Sequence, residues 1–165
     1  MMMHLQNVIK NTPLISIDLI IQNEKGEYLV GKRNNRPARG FWFVPGGRIQ
    51  KNETLNNGFT RLIQNEIGIE MLRNEATFLG VFEHFYDDNY FNSEFSTHYI
   101  VLAYKISILS NGLVFPHEQH HEYLWMSADE ILNNDLVHFN TKAYLWMFLR
   151  TFRYEITCIW NQLSS

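Results

Sequence analysis

The 165-residue chain has one cysteine, four prolines and no apolar run long enough to cross a bilayer. Cys158 has no partner for an intramolecular disulfide and no second cysteine at zinc-ligand spacing, so a buried thiol is the expected reading of it. The opening "MMMHLQNVIKN" lacks a long apolar core and a small-residue cleavage site, which leaves a soluble, cytoplasmic protein as the expectation and no membrane partner. An excess of positive charge is also missing. Fourteen Lys and Arg against 17 Asp and Glu give a formal net charge of −3, so the basic stripe of a duplex nucleic-acid binder is not expected and a small ligand is. Repeats and low-complexity linkers are absent as well. What is plentiful is core material: 45% hydrophobic and 15% aromatic residues suit one well-filled core, so residues 1–165 read as a single domain, with 1–12 and 151–165 the least determined segments.

Periodicity places the elements. "LISIDLIIQ" from Leu14 is β-branched and apolar, "NEKGE" is a turn, and "YLVGKR" resumes an extended pattern, which predicts a hairpin. "NNRPARG" reads as loop, and "FWFVP" as a short aromatic strand that delivers the chain to Gly46 and Gly47 in a loop. Leu55, Phe59, Leu62 and Ile63 follow helical spacing and Gly68 supplies a stop, so a helix is predicted from about Thr54 to Ile67. "TFLGVFEHF", "THYIVLAYKISI" and "EYLWM" read as further strands, the first two joined by the polar and aromatic loop "YDDNYFNSEFS". "SADE" at Ser127 is a capping box that opens a short helix, and "TKAYLWMFL" has the composition of another. The pattern is α+β: a mixed sheet flanked by helices, one inserted after the third strand and others near the end.

The stretch from Gly46 to Gly68 invites a metal reading. A glycine pair lets backbone approach a ligand and frees a carbonyl oxygen for a cation, and the helix that follows brings Glu66 back toward the same place, at the edge of its apolar face. Mg²⁺ takes oxygen ligands and commonly keeps only one or two carboxylates while substrate phosphates fill other positions. Arg33, Arg48 and Arg61 can pair with phosphate, since a guanidinium stays ionised and forms two parallel hydrogen bonds to such oxygens. For Arg61, mid-helix, a structural salt bridge orienting Glu66 is an equal reading. Asp18 interrupts an apolar strand, either on the solvent face or aimed into a cleft. "HEQHHEY" offers histidines of ordinary pKa near 6.5 as general bases, and the residues alone do not separate His117, His120 and His121. Trp42, Phe43 and the aromatics of the late helix read as core.

Gly47, Glu53, Arg61, Glu66, Gly68 and Ile69 stand at the spacing of the Nudix box, the loop-helix-loop of hydrolases acting on nucleoside diphosphates linked to another moiety, and the chain resembles that family. Two box positions depart from it: Leu62 and Asn65 stand where glutamates usually gather metal. With "RPARGFWFVPGGR", "HFYDDN", "THYIVLAY" and "EQHHEY", the departure resembles the GDP-mannose mannosyl hydrolase branch, which cleaves at the sugar carbon, and the similarity runs from about Thr12 to Asn140. That resemblance implies a Nudix fold, a homodimer and one Mg²⁺ per site held by the Gly46 carbonyl, Glu66 and Gln119. It further implies His120 as the base and Asp18 at the sugar. Arg33 and Arg48 go to substrate and leaving group, and His84 and Tyr99 to the neighbourhood of sugar and pyrophosphate. The reaction expected is hydrolysis of GDP-mannose, or GDP-glucose, to GDP and free sugar. A Nudix pyrophosphatase and a non-catalytic nucleotide-sugar binding module are the alternatives.

Overall fold

The computed structural model of the protein describes residues 2–92, 94–111, 113 and 120–149. Its centre is strand β1 (Leu14–Gln22), which pairs in parallel with β6 (Thr97–Ser107) along its whole length. β6 in turn pairs antiparallel with β5 (Thr77–Tyr86). On the other side the hairpin of β1 with β2 (Tyr28–Arg33) is closed only at its base, at Gln22 opposite Tyr28. Beyond that point the two strands part. β1 takes β4 (Gly46–Arg48) as its antiparallel neighbour, while β2 takes β3 (Trp42–Phe43) and β7 (His120–Met126). The glycine pair expected in a loop is thus a short strand, with Gly46 opposite Asp18 and Gly47 opposite Ile17.

A strand buried on both faces should read as one apolar run, and β1 does. Ile17, Leu19 and Ile21 face helix α2 (Leu55–Ile67) and pack with Phe59, Leu62, Ile63 and Ile67. Ile20 faces the opposite way, into a second core with Val30, Trp42, Val44, Met126 and Ile131. Helix α2 begins where Thr54 accepts the Asn57 N–H, and ends at Gly68, whose φ of 77° is the left-handed conformation glycine adopts without a Cβ penalty. The second core is closed by α3 (Ala128–Asn133), capped by the Ser127–Glu130 box, and by a helix over residues 139–149, here α4. Tyr144 and Leu145 of α4 join that core, at 1% and 3% exposure.

One element was not expected. Residues Met2–Asn11 form helix α1, whose Ile9 is buried. Leu5, Val8 and Ile9 stand three and four apart, a short helical stripe that the absence of any long apolar run had obscured. No helix among the described residues is long and apolar enough to cross a membrane.

Candidate active site

Because β1 and β2 diverge, a cleft of about 770 Å³ opens between them, and Asp18, Arg33, Gly46, Arg48, Arg61, His84 and Tyr99 all line it. Seven residues expected at one site, drawn from six elements, therefore do meet. Leu5, Val8 and Ile9 of α1 form an apolar wall of the same cleft, and Tyr90 reaches it from the loop between β5 and β6.

Asp18 faces the α4 side of β1, which settles the choice between solvent and cleft. Tyr144 donates to its Oδ2 at 2.7 Å, and His84 Nδ1 lies 4.0 Å from the same oxygen. Burial pushes the carboxyl up to about 6, with the Tyr144 hydroxyl and the Arg33 charge opposing that rise. Asp18 remains mostly ionised at neutral pH. His84 is buried beside it and is held down to about 4 by desolvation and by the positive charges of His138 and Arg33. Tyr99, paired across the sheet with His84, is raised by burial. The Arg33 guanidinium sits over the Phe43 ring at 5.1 Å, so its stem is held by a cation–π contact while its donors face the cleft.

Gly46 is a requirement of geometry. A Cβ there would overlap the Ile17 carbonyl oxygen and lie 2.9 Å from Asp18 Oδ1. Gly47 is equally confined, because a Cβ would stand 2.6 Å from Leu62 Cδ2. Leu62 is 2% exposed: the box position that usually carries a glutamate is here part of the core.

Arg61 follows its structural reading, with a different partner from the one expected. Its Nε and Nη2 donate to the two carboxylate oxygens of Glu53 at 2.6 and 2.8 Å, and Nη2 also reaches the Arg48 carbonyl oxygen at 3.0 Å. The guanidinium holds the Glu53 carboxyl down at about 2. Glu53 Oε2 accepts the Gln50 N–H at 2.9 Å, so one ion pair fastens the turn after Gly46–Arg48 to α2. Arg61 is thus paired with Glu53 at the edge of the cleft, in place of the Glu66 partner expected.

Glu66 lies deeper than the edge position expected for it, at 0% exposure on the face of α2 that enters the core. Its backbone carbonyl accepts from the Tyr123 hydroxyl at 3.4 Å, and its charge adds to the burial that pushes Tyr123 up. Among the described residues no three His, Cys, Asp or Glu side chains form a metal cluster. Glu66 is not among the residues that line the cleft, whereas Gly46 is; the chemistry of a buried carboxylate and a backbone carbonyl suits a hard cation and leaves positions for phosphate oxygens. The β2–β7 register pairs the backbone of His120 with Arg33, across an irregularity after Gly31. His117 and Gln119 lie outside the described residues, as does Cys158.

Two contributors escaped the sequence reading. Tyr144 belonged to a helix read as core, and His138 stood in no motif. His138 stacks on Phe43 at 4.4 Å, accepts the Asn140 N–H at 3.2 Å and is held down to about 4 by burial and Arg33. Within the "YDDNYFNSEFS" loop, buried Asn89 accepts the N–H groups of Phe91 and Asn92 and donates to the Phe95 carbonyl.

Comparison with known proteins accords with this architecture. Among solved structures, the MutT protein from Methanosarcina mazei superposes with a TM-score of 0.68 at 26% identity, covering 86% of this chain and 96% of that one. The NUDIX domain of Shewanella oneidensis NrtR, solved with ADP ribose, superposes with a TM-score of 0.65 at 15% identity over 86% of this chain and 90% of that one, a likeness of fold alone. Among curated relatives, the low-salt glycan biosynthesis protein Agl8 of Haloferax volcanii is 42% identical over 106 residues, 64% of this chain and 66% of its own length. The 8-oxo-dGTP diphosphatase of Proteus vulgaris is 36% identical over 56 residues, 34% of this chain and 48% of its own length. The aligned segments thus span just under two thirds of the first relative and about half of the second. The model of the NUDIX domain matches residues 12–147, the stretch that builds the sheet, α2 and the cleft, and the chain belongs to the Nudix family.

Proposed function

We propose that this protein is a Nudix hydrolase that converts GDP-mannose, or GDP-glucose, to GDP and free sugar by Mg²⁺-assisted attack of water at the anomeric carbon. The observation that carries the reading is Leu62. Nudix chemistry at phosphorus needs carboxylates to gather metal about a water, yet Leu62 is packed in the core and Asn65 is exposed, so Glu66 stands alone on α2. Attack at carbon needs no such cluster. The name of the Haloferax relative, a glycan biosynthesis protein, also favours a sugar-bearing substrate.

Glu66 and the Gly46 carbonyl, with Gln119, are the donors that would hold one Mg²⁺, which supplies charge neutralisation to the departing diphosphate. Arg33 and Arg48 pair with its phosphate oxygens. Asp18, ionised at neutral pH, accepts from sugar hydroxyls and favours the positive charge that develops at the anomeric carbon. His120 takes the proton of the attacking water. As the water oxygen bonds to carbon, the bond from that carbon to the β-phosphate oxygen breaks on the opposite face and its electrons leave with GDP. Configuration therefore inverts, and α-linked GDP-mannose yields β-mannose first.

The test is hydrolysis in ¹⁸O-enriched water, with mass spectrometry of both products and proton NMR taken before mutarotation. Label on mannose with the β anomer supports the reading. Label in a phosphate of GMP or mannose phosphate would replace it with pyrophosphatase chemistry, and no turnover would leave a nucleotide-sugar binding module. In solution the protein is expected to be a cytoplasmic homodimer, and sedimentation checks the second half of that statement.

A further inference from the structure

Helix α4 packs as core, yet one of its buried side chains touches two residues that line the cleft. The Tyr144 hydroxyl lies 2.7 Å from Asp18 Oδ2 and 3.3 Å from His84 Nε2. Its ring is fixed by an edge contact with Phe82, at 4.8 Å between centroids. One turn earlier, Thr141 Oγ1 accepts the Val44 N–H at 3.3 Å, two residues before the Gly46 that pairs with Asp18. A single face of α4 therefore holds Asp18 of β1 and the segment that leads into Gly46.

The proton arrangement follows from the donor inventory. A phenol has one proton, and an ionised carboxylate can only accept, so the shorter contact is Tyr144 donating to Asp18. The phenol oxygen is then left to accept, and the group that faces it is His84 Nε2. A neutral imidazole carries one proton, which this arrangement assigns to Nε2. The chain of donation runs in one direction: His84 to Tyr144 to Asp18. Phenylalanine would fill the same volume in the core, so the hydroxyl is the part of Tyr144 that packing does not explain.

We propose that Tyr144 is a positioning residue: its hydroxyl orients the Asp18 carboxylate toward bound sugar and fixes the tautomer of His84, so helix α4 belongs to the site it stands behind. The role in turnover rests on the nucleotide-sugar reading of the cleft, and the tautomer does not. Without the hydroxyl, the Asp18 carboxylate loses the bond that selects one rotamer and favours its charged form, while substrate still finds Arg33 and Arg48. Turnover should fall and substrate affinity should hold.

The test is Tyr144→Phe in the full chain, alone and combined with Asp18→Ala. With GDP-mannose and Mg²⁺, the single substitution should lower kcat roughly tenfold and move KM by less than about twofold, the scale of one hydrogen bond to a charged group. In the Asp18→Ala background it should cost nothing further, because the group it acts through is gone. Equal losses in both backgrounds, or an unchanged kcat, would overturn the proposal. Independently, ¹⁵N–¹H spectra of histidine-labelled wild-type protein, with His84 assigned by its loss in His84→Phe, should show the Nε2-protonated tautomer. In Tyr144→Phe it should move toward Nδ1, whose nearest remaining acceptor is Asp18 Oδ2 at 4.0 Å. A wild-type His84 protonated on Nδ1 overturns the assignment whether or not the variant folds. If the wild type instead releases sugar phosphate, the proposed function fails while the tautomer still decides the place of Tyr144.

Discussion

On one side of β1 the chain from Gly46 to Gly68 folds over Ile17, Leu19 and Ile21; on the other, Asp18 and Ile20 meet helix α4. The first side is assembled from neighbours: Glu53 and Arg61, eight residues apart, close the turn against the helix that follows it. The second side is assembled from strangers, since Asp18 and Tyr144 are 126 residues apart. Both sides hold polar groups of the same cleft, and they differ in what fixes them. On the α2 side a local ion pair at the rim sets the backbone. On the α4 side a buried hydrogen bond sets one side chain, in a medium where an unmade bond costs more. Local construction leaves a motif and remote construction leaves none.

The largest expected effect falls between the two sides, at the residue paired with Arg33. His120→Ala should lower turnover by roughly 10²–10⁴-fold, the usual contribution of a positioned general base, with a smaller change in KM. Steady-state kinetics on His117→Ala, His120→Ala and His121→Ala decides among the three. A dominant loss at either neighbour would move the base off the strand position opposite Arg33.

Next in size is Gly46→Ala, which strikes the seam where the two sides join. The added methyl meets the Ile17 carbonyl oxygen, which cannot yield without disturbing the β1–β4 pairing, and crowds the Asp18 carboxylate. Stability should fall by about 3 kcal/mol, the upper part of the range for overpacking, and activity should fall with it. Urea melts measure the first. Gly40 has nothing within 4 Å of its Cβ position but a φ of +86°, so Gly40→Ala separates backbone strain from this clash.

The third prediction concerns pH and belongs to the α4 side. The Asp18 carboxyl sits at about 6 in the folded protein against an ordinary 3.8, so between those values the native state holds a proton that the unfolded chain has released. The stabilisation is full below about pH 4, is lost as pH rises through about 6, and stays lost above. Asp18→Asn can still accept from Tyr144 and does not ionise, so it should be the more stable protein at pH 7.5, by about 2 kcal/mol after allowing for water that reaches the cleft. Thermal melts should show that gap closing near pH 4. His84 and His138, both held down to about 4, act in the opposite sense: their contribution is full above about 6.5 and lost as pH falls toward 4. They are common to both proteins and cancel in the difference. A constant gap across the pH range would mean that Asp18 is not the group responsible.

The contrast between the sides also accounts for what the sequence disclosed. The helix over Leu55–Ile67 was legible because cap, apolar period and terminal glycine all agree. The strands were legible because β1 and β6 are rich in apolar and β-branched residues. The cleft was not legible from periodicity: it exists because β1 leaves β2 after Gln22 to take β4, and nothing in the alternation of either strand announces that exchange. Resemblance supplied Asp18, Arg33, Arg48, His84 and Tyr99, and the fold brings them to one cleft. Tyr144 was hidden by its own burial, because an aromatic residue at helical spacing reads as core and its hydroxyl gives no separate signal. Helix α1 was missed for a related reason: a stripe of three apolar residues is weak evidence until a cleft is there for it to wall.

The smallest expected effect sharpens the comparison from the α2 side. Glu53 and Arg61 form a well-aligned pair, but their side chains are 13% and 28% exposed, and exposed ion pairs are worth about 0.2–1 kcal/mol. Glu53→Gln should therefore lower stability by less than about 1 kcal/mol at pH 7. Because the Glu53 carboxyl is held down at about 2, the pair's contribution is present above its ordinary value of 4.5 and is lost as pH falls from there toward 2, the reverse of Asp18. The kinetic consequence separates the two readings of Arg61. If Arg61 serves the site as a clamp, Glu53→Gln loosens the Arg48 carbonyl and the turn at Gln50, and KM rises while Arg61→Lys does the same. If Arg61 contacts phosphate directly, releasing it from Glu53 should leave KM unchanged or lower it, and only the Arg61 substitution should harm binding. A fall in KM for Glu53→Gln would thus return Arg61 to the substrate. A matched rise in both variants would keep it in the frame, leaving Arg33 and Arg48 as the guanidinium groups that meet the diphosphate.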